Sequence, residues 1–174
     1  TTVKGEPGSG ANGIGPGAMR AVYLNQYAVI QGFTITDGRT ESAAVDAKNS
    51  GAGIDGAGGL AADCVLLGNN AGYRGSAATG NNTLLRCHIR ETQGSYGVYD
   101  RTRMLDCVYE CSLPLYSSVT ACNCLFIGRA PQGSSTSARE KVYNSIVLGY
   151  NGWYTDFYNC RLSYKLRTGN GQSE

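Results

Sequence analysis

Asp63, Arg86 and Asp106, followed by Arg90 and Glu110, place carboxylates and guanidiniums at related spacings in the middle of the chain. Paired carboxylates about 5–9.5 Å apart carry out glycoside hydrolysis. Clustered carboxylates with a basic partner suit elimination of acidic polysaccharides around a hard cation. The plainer reading is a ladder of lateral ion pairs on a solvated face. Tyr96, Tyr99, Tyr116, Trp153 and Tyr154 form a second set. Flat aromatic faces bind sugar rings, and the competing reading is an inward aromatic stack. Asp46, Asn49 and Asp55 offer oxygen ligands in a Gly-rich segment. Their spacing fits no Ca²⁺ loop, so a loop without metal is the simpler expectation.

The remaining nucleophiles assemble into little. His88 is the one histidine, and no serine sits in a G-x-S-x-G elbow. Seven cysteines cannot all pair with one another. Cys122-Asn123-Cys124 is C-x-C rather than C-x-x-C, and a zinc site needs ligands that converge from different directions. Most of the cysteines instead occupy one position of a repeat, where they read as small buried packing groups. Cys111 falls outside that column and is the candidate reactive thiol.

The elements that position these groups are short repeated phrases. Anchored on one slot, they carry Phe33, Cys64, Cys87, Cys107, Cys124, Ser145 and Cys160, about 21 residues apart on average. Two residues after the slot stand Ile35, Leu66, Ile89, Tyr109, Phe126, Val147 and Leu162. That period of two marks a strand. Three residues before the slot stand Ile30, Ala61, Leu84, Met104, Ala121, Val142 and Phe157. An apolar residue at an odd offset breaks the period, so a bend is expected between them. The residue just before the slot supplies it: Gly32, Asp63, Arg86, Asp106, Asn123, Asn144 and Asn159. Gly, Asn and Asp adopt left-handed backbone angles most readily. A strand, a one-residue corner and a second strand, repeated with variable loops, predict one coil of a parallel β-helix. A third strand per coil is expected at residues 21–24, 76–79, 97–99, 113–116 and 152–154.

The phrases Gly32-Phe33-Thr34-Ile35-Thr36, Asp63-Cys64-Val65-Leu66-Leu67-Gly68-Asn69 and Asn144-Ser145-Ile146-Val147-Leu148-Gly149 resemble right-handed parallel β-helix repeats of the pectin-lyase-like superfamily. More narrowly, they are similar to polymorphic-outer-membrane-protein-like and other bacterial surface repeats. The resemblance covers roughly residues 20–163. It implies an all-β, single-stranded, right-handed β-helix solenoid of about seven coils with Gly-rich loop insertions. It also implies a secreted or cell-surface bacterial protein, in a superfamily that holds pectin lyases, polysaccharide hydrolases, tailspikes, adhesins and surface proteins without activity.

On this reading residues 1–18 are a lead-in or loop cap, 19–165 the β-helix and 166–174 a loose tail. The stretches 37–59 and 129–141 read as inserted loops. A net charge of +2 with no like-charge block gives no footprint for nucleic acid. No apolar run reaches the ~20 residues of a membrane-spanning helix. The leading expectation is a non-enzymatic, adhesive or glycan-contacting rod with no cofactor. A polysaccharide lyase or glycoside hydrolase fragment is the alternative, and a module that associates end to end into filaments is a third. The outward pairs Ile146/Leu148 and Leu125/Ile127 need either a covering loop or a partner.

Overall fold

The computed structural model describes residues 1–41, 49–128, 139–148 and 154–163. Trp153, Asp46 and the tail 166–174 lie outside the described residues. The architecture is all-β: the only helical element described is the 3₁₀ turn Ala11–Gly13. Each repeat contributes a strand before its corner and a strand after it. The strands before the corner are Val29–Gln31, Leu60–Ala62, Thr83–Leu85, Arg103–Leu105, Thr120–Cys122, Glu140–Tyr143 and Thr155–Tyr158. They form one sheet in sequence order, every pair parallel. The strands after the corner run Thr34–Thr36, Val65–Leu67, His88–Arg90, Val108–Cys111, Leu125–Gly128, Ile146–Leu148 and Arg161–Leu162, again parallel and in order. These long parallel sheets, each strand stacked on its counterpart from the previous repeat, are consistent with a parallel β-helix.

The corner is the same event seven times. Gly32, Asp63, Arg86, Asp106, Asn123, Asn144 and Asn159 all have positive φ, from 47° at Asn144 to 75° at Gly32. The backbone ladder passes through the bend without a gap. The amide of each of the first six corner residues donates to a carbonyl of the next repeat, as Asp63 does to Leu85 and Arg86 to Leu105, both at 2.9 Å. No corner amide of these six is therefore left without an acceptor.

Apart from Phe33, the slot residues are small, and they turn inward. Cys64, Cys87, Cys107 and Cys124 are buried, with Ser145 buried in the next turn and Phe33 and Cys160 half-buried at the two ends. Their thiols also bond. Cys107 Sγ reaches the carbonyl oxygens of Leu84 at 3.4 Å and Leu105 at 3.3 Å, and Cys124 Sγ reaches Met104 and Cys122 at 3.6 and 3.2 Å. Ser145 Oγ donates to Tyr143 O at 2.7 Å and accepts from the Cys124 amide at 3.0 Å. The slot thus asks for a short side chain that can donate to the corner's carbonyls, which Cys and Ser both satisfy. All seven cysteines are free thiols. Thiol–thiol contacts lower Cys87 and Cys124 and raise Cys64 and Cys107, while burial raises all four. A buried thiolate without a cation is costly, so the column is neutral.

The third face is discontinuous. Val22–Leu24 pairs with Ile54–Gly56, Ile54 bridges to Ala78, Ala78 to Val98, and Val98–Tyr99 pairs with Leu115–Tyr116. Ile54 to Gly56 is therefore part of this face, whereas the sequence reads 37–59 as one inserted loop. Residues 1–18, read as a lead-in or loop cap, carry a short strand of their own. Thr2–Lys4 adds a parallel strand to Thr34–Thr36, and Glu6 bridges to Met19. Three residues with a single apolar member are too short to show a strand's alternation.

Candidate functional site

Val98 and Leu115 are fully buried, so the alternation of their short strands turns Tyr99 and Tyr116 outward. Of the aromatic set, these two therefore do not form an inward stack. Parallel pairing sets Tyr99 opposite Tyr116, and their rings stack with centroids 6.2 Å apart and 14° between planes. Tyr96, from the turn before the first of these strands, lies 4.2 Å from Tyr116 and 6.3 Å from Tyr99. All three are half-buried. Burial, then proximity to Tyr116, raises the Tyr96 hydroxyl above its ordinary range.

A fourth ring and a cation complete the face, and neither is evident from the sequence. Arg74 Cζ lies 4.1 Å from the Tyr73 ring centroid, 4.9 Å from that of Tyr99 and 5.8 Å from those of Tyr96 and Tyr116. Arg74 Nη1 donates to Tyr99 Oη at 2.5 Å. A guanidinium held over ring faces is a favourable cation–π arrangement. Tyr73-Arg74 is found only by aligning turns, because Ser76 N bonds Tyr96 O and Ala77 N bonds Gly97 O. Loops of unequal length shift that offset from one repeat to the next, which hides it in the sequence. Tyr154 is exposed, but among the described residues its ring stacks on none of these.

The charged residues form a surface ladder along the corners. Arg86 donates from Nε and Nη2 to Asp63 at 2.6 and 2.9 Å, and Gln31 Nε2 donates to the same carboxylate at 2.7 Å. Asn123 Nδ2 donates to Asp106 Oδ1 at 3.1 Å. The bond from Arg86, then that from Gln31, holds the Asp63 carboxyl below the usual range, and Asp63 in turn raises Arg86. A general acid needs the opposite shift. Arg90 and Glu110 face each other in register, yet they do not pair as the sequence suggests. Arg90 Nη2 bonds Glu91, and Glu110 bonds His88 Nε2, each at 3.1 Å. The next residue in the chain, Glu91, and the diagonal neighbour two residues along, His88, compete for the same side chains.

Two further expectations change. Cys111, the candidate reactive thiol, is buried, takes a bond from Thr92 Oγ1 at 3.4 Å, and is raised by burial. Asn49 is buried, and Asp55 is paired with Arg20 and accepts from the Gly56 amide at 2.9 Å. Among the described residues no group of three or more His, Cys, Asp or Glu side chains could hold a metal ion. A cleft of about 430 Å³ is lined by Ala18, Met19, Arg20, Arg39, Thr40 and Glu41. Arg20 pairs with Asp55, and Arg39 Nη1 donates to the carbonyls of Gly38 and Gly68 at 2.9 Å while its Nε is buried without a hydrogen-bond partner.

One buried group has no counterpart in the sequence reading. Glu140 begins its strand with its side chain inside, fully buried, and neither carboxylate oxygen has a hydrogen-bond partner. Burial pushes its carboxyl up to about 8, and the nearby amides of Glu140 itself, Ser118 and Val119 offset this only in part. Comparison with protein-family models, with curated proteins and with solved structures finds no match for the chain.

Proposed function

We propose that this chain is a non-enzymatic, right-handed parallel β-helix domain of about seven coils, akin to the pectin-lyase-like repeats of bacterial surface proteins. On a secreted or surface-bound protein it contacts glycans through its tyrosine face. The observation that carries this reading is the outward cluster of Tyr96, Tyr99 and Tyr116 around Arg74. Rings held by a rigid ladder lose little side-chain entropy on binding and offer flat faces to the C–H surface of a sugar. Catalysis is the poorer account of the same fold. The Asp63 carboxyl is depressed and paired, while the raised carboxyls, Asp55 and Glu140, are respectively paired with Arg20 and enclosed in the interior.

The test is a glycan array probed with the wild-type chain and with Tyr99→Ala and Tyr116→Ala. Binding that weakens about tenfold or more in both variants, with unchanged circular dichroism, supports the reading. An array without binders, or binding that survives both substitutions, removes it.

A further inference from the structure

The sheet built from the strands before the corners presents an unbroken apolar column to the outside. Leu84, Met104, Ala121 and Val142 are fully buried, so the next residue of each strand faces away from the core. These are Leu85, Leu105, Cys122 and Tyr143, in register from one repeat to the next, and Tyr158 continues the line. The rings of Tyr143 and Tyr158 stack at 4.7 Å with 11° between planes. Successive strands lie about 4.8 Å apart, so the column runs about 19 Å. Its first four members are half-buried by one another, and Tyr158 is exposed. On the other long sheet the corresponding outward column is broken by His88. A contiguous apolar patch on a surface marks an interaction site.

The charges on its two margins identify the occupant. Arg103 stands on one side of Leu105 and Asp106 on the other, both exposed. Among the described residues Arg103 is in no ion pair. We propose that this face pairs with the same face of a second copy of the chain, the two rods lying side by side and parallel. A two-fold axis along the column lays Leu105 on Leu105 and Cys122 on Cys122. It brings Arg103 of each copy to Asp106 of the other. The same operation sets Arg86 against Thr83, Thr120 against Asn123 and Lys141 against Asn144, so no like charges meet. Two-fold pairing requires this kind of self-complementary patch. Seven residues a side fall far short of the about 20–30 of a standard interface, so the dimer is weak, with a dissociation constant of about 10–100 µM. The tyrosine cluster belongs to a different sheet and takes no part, so the pairing is independent of the glycan reading.

The test is analytical ultracentrifugation of the whole chain from about 1 to 500 µM. The wild-type chain should pass from monomer to dimer, and Leu105→Glu should stay monomeric. Arg103→Asp should weaken pairing about tenfold or more, because it sets carboxylates against each other at both ends of the rung. Adding Asp106→Arg should restore pairing. Position 106 accepts arginine because Arg86 holds the same left-handed corner with a φ of 50°. In a Cys160→Ser background a short bis-maleimide should link Cys122 to Cys122 at the high concentration and add singly at the low one. A monomer at every concentration overturns the proposal. So does a dimer that persists in Leu105→Glu, that the charge exchange does not restore, or that gives no Cys122 link. If Leu105→Glu is unfolded by circular dichroism, the charge exchange and the cross-link decide.

Discussion

Gly97 lies against the hydroxyl of Tyr109, and a β-carbon at position 97 would stand where that hydroxyl is. Tyr109 points inward, is fully buried, and donates from its hydroxyl to Leu113 O at 2.6 Å. One interior side chain thus touches the turn that carries Tyr96 and bonds the segment that leads into Tyr116. The outer face rests on this contact, because Gly97 and Leu113 begin the two segments that end in Tyr99 and Tyr116.

A methyl group at position 97 is therefore expected to cost about 1–3 kcal/mol by overpacking. Tyr109→Phe gives up one hydrogen bond, about 0.5–1.5 kcal/mol, and removes the nearest of the ring atoms that the new methyl meets, leaving Cζ at 2.9 Å. The double variant Gly97→Ala/Tyr109→Phe should then be more stable than the sum of the two single losses implies. Urea unfolding of the four proteins measures this. Strict additivity would show that the two residues do not press on each other.

The repeat was legible because corner, slot and inward strand positions are each constrained by backbone geometry. A residue such as Asn144 must accept a φ of 47°, and a residue such as Cys107 is short, buried and able to donate to a corner carbonyl. These demands leave a mark at a fixed offset. The tyrosine face was legible in part. Tyr96, Tyr99 and Tyr116 stood out as a group, but their direction depended on whether Val98 or Tyr99 faced the core, and a two-residue strand has no alternation to read. Arg74 was missed because its offset from the corner differs from that of Tyr96. Side-chain pairing on the outer sheet was the least legible: register sets Arg90 opposite Glu110, but nothing in register stops His88 and Glu91 from taking their places.

The thiols should fall into two classes. Cys64, Cys87, Cys107, Cys111 and Cys124 are buried, whereas Cys122 and Cys160 are half-exposed. Reaction of the native chain with a thiol reagent should label Cys122 and Cys160 quickly and the other five only on unfolding. Rapid labelling of the column would mean that it is not enclosed. Within it, Cys107→Ala should cost about 1–3 kcal/mol, because it removes a buried sulfur and its bonds to Leu84 and Leu105. Cys107→Ser should cost less, since Ser145 already occupies the same slot with its hydroxyl bonded to Tyr143.

Glu140 gives the fold a pH dependence of definite sign. In register with it lie Asn82, Thr102 and, in the repeat just before, Val119; the first two are buried polar residues that satisfy turn carbonyls, Asn82 Nδ2 donating to Thr79 O and Thr102 Oγ1 to Tyr99 O, each at 2.8 Å, and Val119 is buried and apolar. An ionised carboxylate cannot donate, and in an apolar interior its charge is unfavourable. The folded carboxyl titrates at about 8 against an ordinary 4.5. Between those values the folded chain holds a proton that the unfolded chain has released. The stabilising contribution is therefore complete below about 4.5 and is lost as pH rises through about 8. Glu140→Gln has no charge to bury, so its stability should vary less across this window. At pH 9 it should exceed wild type by about 1–3 kcal/mol, the usual cost of an unsatisfied buried group. Chemical denaturation of both proteins at pH 5, 7 and 9 measures the difference. Parallel pH profiles would mean that the Glu140 carboxyl reaches solvent.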